Sequence, residues 1–267
     1  MFGHELRRSR ASDRTLLSNG PRASGRYARV RQSSQMSLEG RARSRPEASR
    51  DSSVSVPTEM IADALWSASM TDIPPLVFLH GIGIGSEAWR LQVEAFRQSR
   101  EVFTPAVAPS LKQASSEVDA LGLACADVCG LSWGSLVALQ YALTRPERVS
   151  RLVLAAGFAS LPVHLRIFQY TMSRLVRVIP GAPHELAGPM REGARFDVRE
   201  QARRLETPTL VLCGERDRVN LSLSRSLARL LPNARFETVP EAGHVANVDN
   251  PRAFNASLDA FLSHAVA

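Results

Sequence analysis

Five residues constrain this chain more than any other feature. Gly130, Leu131, Ser132, Trp133 and Gly134 spell Gly-x-Ser-x-Gly between an apolar stretch, Ala124 to Cys129, and a helical one, Ser135 to Leu143. A strand that turns directly into a helix leaves no room for side chains two positions to either side of the turn. The glycines therefore belong to the geometry, and the serine between them is forced into a strained backbone conformation. The pattern by itself is common, and its setting gives it meaning: the serine hydroxyl is predicted to stand at the C-terminal end of a buried strand.

Two downstream segments deliver partners for that hydroxyl. The apolar run Thr209 to Cys213 reads as a strand and ends in Gly214, Glu215, Arg216, Asp217, placing a carboxylate at the strand end. A second short strand, Arg235 to Val239, is followed by Glu241, Ala242, Gly243 and His244. A serine hydroxyl is a poor nucleophile at neutral pH. It needs a histidine to take its proton and a carboxylate to hold the imidazole in the right tautomer. Glu215 is the local rival to Asp217 as the acid. Of the other histidines, His4 lies in the N-terminal stretch, His164 and His184 in a segment of different rhythm, and His264 near the C-terminus.

The chain order Ser132, Asp217, His244 differs from the orders of the other serine-protease types. From Pro74 to the C-terminus the chain resembles the α/β-hydrolase superfamily, in particular its small esterase-like members whose acid follows Gly-x-x-Asp. The resemblance implies a catalytic triad of these three residues and an oxyanion hole with two backbone donors. One is the N–H of Trp133, directly after the nucleophile. The other is the N–H of Ile82, in a His80-Gly81-Ile82-Gly83 turn that is similar to the His-Gly-x-Gly turn of the superfamily. By the same resemblance His80 shapes that turn and does not titrate in the reaction.

The fold class follows from the alternation of apolar runs with helical segments: α/β, with a mostly parallel sheet covered on both faces. Strands are predicted at Leu76 to Leu79, Val102 to Val107, Ala126 to Gly130, Ser150 to Ala155, Thr209 to Cys213 and Arg235 to Val239. Helices are predicted at Ser86 to Gln98, Ser115 to Leu123, Ser135 to Leu143, Leu221 to Leu231 and Arg252 to His264. Residues 57–267 make one hydrolase-sized domain. Between about residues 158 and 205 the rhythm breaks where the superfamily inserts a cap. There Leu165, Phe168, Met172, Leu175 and Ile179 recur at helical spacing opposite Arg166, Gln169, Ser173 and Arg177, which predicts an amphipathic helix with its apolar face turned inward. Pro180 and Pro183 break it. Phe158, Leu165 and Phe168 are the candidate pocket residues, with an acyl pocket or a lipid-facing surface as the sharper readings of this segment.

Two departures from the superfamily stand out. Its usual Asp-x-x-Gly-x-Gly-x-Ser loop after the second strand is reduced here to Ala108 to Ala114, which predicts a more open site. Its two antiparallel strands before Leu76 have no clear counterpart, unless Arg26 to Gln32 or Ser53 to Val56 supplies one; a bare sheet edge would favour pairing with another chain.

Charge narrows the partners. The chain carries 33 basic and 26 acidic residues, a formal excess of seven. Twelve arginines among residues 1–50 face only Glu5, Asp13, Glu39 and Glu47, so the excess resides in that stretch and residues 51–267 are near neutral. The folded domain is not a nucleic-acid binder by charge. Residues 1–56, rich in Arg and Ser without apolar periodicity, are predicted to be disordered. A transit peptide, a basic arm for phosphate or anionic lipid, and an over-extended start with Met36, Met60 or Met70 as the true beginning all fit, and the last is favoured. No apolar run follows Arg7 and Arg8, and none reaches the length of a membrane span. Cys125, Cys129 and Cys213 have no metal-site spacing and read as buried thiols of a reducing compartment, placing the chain in the cytoplasm. No sequence feature sets an oligomeric state.

The reading is a serine hydrolase that cleaves a carboxylic ester or related small acyl substrate, without metal or cofactor. Serine in the nucleophile position argues against the epoxide-hydrolase and dehalogenase branches. A C–C bond hydrolase, a cofactor-free haloperoxidase-like enzyme and a non-catalytic ligand-binding relic of the fold remain as alternatives.

Overall fold

The computed structural model describes residues 73–263. The tail 1–56 and the candidate extra strands Arg26 to Gln32 and Ser53 to Val56 lie outside the described residues. Six parallel strands form one sheet in the order β2-β1-β3-β4-β5-β6. They are β1 (Leu76–Leu79), β2 (Val102–Phe103), β3 (Ala126–Leu131), β4 (Val149–Ala155), β5 (Thr209–Gly214) and β6 (Ala234–Val239). The chain runs from β1 outward to the edge strand β2 and returns to β3 on the other side of β1. The crevice for a ligand in such a sheet opens at that reversal, beyond the strands' C-terminal ends.

Strands β1, β3 and β5 are buried along their whole length, which is why they read as continuous apolar runs and not as alternating ones. One face is covered by α2 (Leu111–Asp119), α3 (Trp133–Thr144) and α7 (Asn220–Leu230). The other is covered by α1 (Arg90–Phe96) and α9 (Pro251–Leu262). On that face Trp89 stacks on Phe78 with ring centroids 4.6 Å apart and leans on Phe254 at 5.9 Å. Helix α3 is buried nearly all round, so it lacks a polar stripe and acts as the central support of the sheet. At the opposite end from the strand C-termini, the Arg100 guanidinium donates to the buried Asp127 carboxylate at 2.6 Å, with Arg151 at 3.4 Å.

Most predicted elements appear, with three corrections. Strand β2 stops at Phe103 instead of Val107, because Pro105 has no N–H to give a ladder and restrains Thr104 before it. Helix α2 covers Leu111–Asp119 instead of Ser115 to Leu123; its apolar anchors are Ala114 and Val118, and the chain then turns through Gly122 at φ +68°. The segment Ser86 to Gln98 is a single 3-10 turn, Ser86–Trp89, followed by α1, not one continuous helix. Of the three thiols, Cys129 and Cys213 are buried and Cys125 is half-buried. Burial raises the pKa of both sheet thiols, that of Cys213 up to about 11.

The predicted cap is present as α4 (Val163–Leu175), α5 (Ala187–Arg195) and α6 (Arg199–Ala202). Its two ends are tied together by a bridge between Ser160 and Asp197, and Val198 N–H donates to Ala159 C=O at 3.0 Å. The expected orientation of α4 is wrong. Ser173 is buried, with its hydroxyl donating to Tyr170 C=O at 2.6 Å. Phe168, Leu175 and Ile179 are exposed by 60%, 42% and 43%. The inward stripe runs instead through Leu165, Gln169, Met172, Ser173 and Val176. On this inward side Gln169 faces Gly193 of α5, where an added Cβ would lie 3.4 Å from Gln169 Oε1.

Candidate active site

The Gly-x-Ser-x-Gly segment forms the sharp turn its spacing demands. Ser132 sits between β3 and α3 at φ +55°, a left-handed conformation a non-glycine residue holds only when its surroundings over-determine it. They do so here by close approach. A Cβ on Gly130 would fall on the carbonyl oxygen of Gly134, and one on Gly134 on the carbonyl oxygen of Leu79. The Ser132 N–H is meanwhile fixed by donation to Ala155 C=O at 2.9 Å.

Residues distant in sequence converge on that serine. His244 Nε2 lies 3.0 Å from Ser132 Oγ, and His244 Nδ1 lies 2.7 Å from Asp217 Oδ2. With Asp217 as a carboxylate, Nδ1 carries the hydrogen and Nε2 presents its lone pair to the hydroxyl. Glu215 is engaged elsewhere, accepting from Glu241 N–H at 3.0 Å. His164 stands on the exposed side of α4 and His184 opens a 3-10 turn in the cap; His4 and His264 lie outside the described residues.

Asp217 is buried, at 8% exposure. Burial alone would raise its pKa, but hydrogen bonds from His244 and from both the backbone and side chain of Asn220 outweigh it and hold the carboxyl below the usual range. The Asn220 N–H donates to Oδ1 at 3.1 Å, and its side-chain amide reaches both carboxylate oxygens at 3.0 Å. The same amide nitrogen lies 3.2 Å from His244 Nδ1; with Nδ1 protonated these are two donors side by side, each serving the carboxylate. Asn220 is absent from the sequence reading. The signal for it was its place in the first turn of the helix that follows the acid.

The histidine loop is anchored from behind. Asn247, fully buried three residues after His244, donates to Ala88 C=O at 2.8 Å and to Gln92 Oε1 at 3.2 Å, while Gln92 donates to Asn255 at 2.8 Å. Gly243 N–H donates to Asp249 at 2.7 Å.

Ile82 and Trp133 border the same cavity as Ser132 and His244. Trp133 is the first residue of α3, where a helix N–H has no partner within the helix. The turn carrying Ile82 is held by His80, whose Nδ1 lies 2.8 Å from Gly81 C=O while Nε2 accepts from Val107 N–H at 3.1 Å. His80 thereby ties the β1 turn to the short segment after β2. That segment is further pinned by Trp133 Nε1, which donates to Ala108 C=O at 3.0 Å, and by Glu117, which accepts from Ala108 N–H at 2.9 Å. The shortened loop is therefore pinned to the β1 turn, α3 and α2.

The cavity encloses about 360 Å³, within the range of small-molecule sites. Phe158, Leu165 and Phe168 all line it, with Met190 of α5 and Leu223 of α7 completing an apolar wall. Phe158 is buried against Phe196, ring centroids 6.2 Å apart, whereas Phe168 is at the rim. Among the described residues no group of His, Cys, Asp and Glu could hold a metal ion, and no helix is long and apolar enough to cross a membrane.

A parallel sheet with a serine turn, an acid and a histidine on its strand ends defines a class of protein, and comparison with known families agrees. The model of the alpha/beta hydrolase family matches residues 76–257, and the chain belongs to that family. Among curated relatives it is 25% identical over 241 residues to 3-oxoadipate enol-lactonase 2 of Acinetobacter baylyi, covering 72% of this chain and 89% of the relative. It is 27% identical over 248 residues to 2-hydroxymuconate semialdehyde hydrolase of Pseudomonas putida, covering 72% and 88%. A solved hydrolase from Pseudomonas aeruginosa PA01 matches with a TM-score of 0.63 at 26% identity, over 72% of this chain and 91% of that one. The protein is a hydrolase of this family.

Proposed function

We propose that this hydrolase cleaves a carboxylic ester, or a closely related small acyl compound, through an acyl-enzyme on Ser132. The observation that carries the reading is the unbroken relay from Ser132 Oγ through His244 to Asp217, at 3.0 and 2.7 Å, on the floor of an apolar cavity.

The chemistry follows from these positions. As Ser132 Oγ bonds to the carbonyl carbon, its proton passes to His244 Nε2, and the carbonyl electron pair moves onto oxygen. The resulting oxyanion is stabilised by the backbone N–H groups of Trp133 and Ile82. Collapse of the tetrahedral intermediate breaks the bond to the alkoxy group, which leaves with the proton from His244. Water then repeats the sequence: it loses its proton to His244, adds to the acyl carbon and releases the acid from Ser132. Asp217, kept ionised by Asn220, holds the imidazole and balances the imidazolium charge. The relative's substrate as named, an enol-lactone, is a cyclic ester, and the mostly apolar wall around Phe158, Leu165 and Leu223 suits an acyl chain better than a charged one.

The test is hydrolysis of p-nitrophenyl acetate by the purified full chain. Ser132→Ala is expected to lower kcat by about 10⁵ or more, because the three side chains act as one unit. Wild-type turnover in that variant would remove Ser132 from the mechanism.

A further inference from the structure

The cap carries an apolar surface on the wrong side. The residues of α4 and its C-terminal extension that point furthest from the fold are Val163, Ile167 and Val178, exposed by 69%, 62% and 73%, with Phe168 and Leu175 beside them at 60% and 42%. Solvent-facing positions of a helix ordinarily carry polar side chains, and several large apolar residues exposed along one helix mark an interaction surface. Nothing among the described residues covers it.

The surrounding charge says what would. Arg166, Arg174, Arg177, Arg191 and Arg195 flank this face on α4, its extension and α5, against Glu185, Glu192 and Asp197, the last of which feels the charge of Arg166 but is held mainly by Arg199. Glu192 is occupied by Leu111 N–H at 2.8 Å. None of the five arginines makes an ion pair among the described residues; Arg166 donates to Ala194 C=O at 3.2 Å and Arg195 lies 5.7 Å over the Tyr170 ring. The field is positive enough to act on its neighbours: the hydrogen bond and charge of Arg174, then the charge of Arg195, hold the Tyr170 phenol below its ordinary pKa. A second copy of the chain would bring these arginines against their own kind. An anionic bilayer offers the complement on both counts, acyl chains for the valines and isoleucine and phosphates for guanidinium groups that reach out on long stems. The patch also adjoins the cavity, since Phe168 and Leu165 of the same helix form its rim and wall.

We infer that the outer face of α4 docks on an anionic phospholipid surface, seating Val163, Ile167 and Val178 among the lipid chains beside the mouth of the catalytic cavity. The inference is independent of the ester reading; it would hold for any chemistry at Ser132.

Vesicle binding alone would not locate the contact, because residues 1–50 carry twelve arginines. The test therefore places an indole on the helix: Val178→Trp in the full chain, with phosphatidylcholine vesicles that contain or lack phosphatidylglycerol. The expected result is a blue-shifted emission that brominated lipid quenches beyond the wild-type background, on the anionic vesicles only. Adding Arg174→Gln and Arg177→Gln should weaken partitioning about fivefold per arginine removed, as expected for roughly 1 kcal/mol each at such a surface. Turnover of soluble p-nitrophenyl acetate should stay unchanged in all three substitutions. Vesicle association without quenching of the indole would assign the contact to residues 1–50 and overturn the inference. So would equal binding to neutral vesicles, no binding at all, or a blue shift that develops with protein concentration in the absence of lipid.

Discussion

The strand ends and the cap of this molecule are built on opposite terms. Around Ser132, Asp217 and His244 backbone approaches so closely that glycine is required: a Cβ on Gly214, at the base of the acid loop, would fall on the carbonyl oxygen of Gly243, just before the histidine. The triad side chains themselves each have a defined partner. The cap is anchored in the core by Leu161, Phe196, Val198 and Ala202 at its two ends, while α4 turns valine, isoleucine and phenylalanine to solvent. The first region is over-determined, as chemistry at a fixed geometry requires. The second is loosely committed, as expected of a segment that meets variable partners or substrates. The contrast is that of a rigid reacting centre under an adaptable roof.

Substitutions can break or sharpen that contrast. After the loss of Ser132 itself, the largest effect should come from the acid: Asp217→Asn is expected to lower kcat by about 10⁴ while leaving the fold intact, since the histidine tautomer is no longer fixed. Glu215→Gln, whose partner is a loop N–H, should cost far less; steady-state kinetics on both variants separates the two carboxylates, and the reverse order would exchange their roles. Next, Gly134→Ala should destabilise the protein by more than about 4 kcal/mol, because its new methyl meets backbone that has no freedom to yield. Thermal unfolding reads this, and Ile167→Ala on the exposed cap face should leave the same melting temperature nearly unchanged.

Within the cap, Leu165→Ala should lower kcat/KM for medium-chain esters several-fold more than for acetate esters, each buried CH₂ being worth about 0.8 kcal/mol. Phe168→Ala should act in the same sense but more weakly, as its ring is already more than half exposed. Equal losses across chain lengths would make this wall purely structural. The smallest effect concerns Asn220. Its hydrogen bonds help keep the Asp217 carboxyl below its usual pKa, so the stabilisation from Asp217 is present above the ordinary carboxylate range and lost as pH falls through the lower folded value. Asn220→Ala should move that loss to higher pH, seen as an upward shift in the acid-unfolding midpoint, together with a several-fold drop in kcat.

The two regions also differed in how far their sequences could be read. Ser132, Asp217 and His244 were legible because each follows an apolar run that makes a buried strand, and the ends of parallel strands converge. Such local signals carry position with them. Pro105 marked the end of β2, yet the apolar residues beyond it suggested a longer strand. The cap defied its own periodicity: Leu165, Phe168, Met172, Leu175 and Ile179 form a regular stripe, but the helix sits with Gln169 and Ser173 inward beside Leu165 and Met172. Side-chain spacing specifies a face. It does not specify which face the neighbouring helix accepts. Asn220 escaped notice for the same reason, since its role depends on where Asp217 and His244 meet in space.

The central claim is that Ser132 is an activated nucleophile. A fluorophosphonate probe on the purified full chain, followed by intact-mass measurement and peptide mapping, addresses it directly, because such reagents phosphonylate a serine only where a base and oxyanion donors are assembled around it. One adduct per chain on the peptide bearing Ser132, absent in His244→Ala, is the expected result. No adduct, or an adduct on a different residue, would contradict the account.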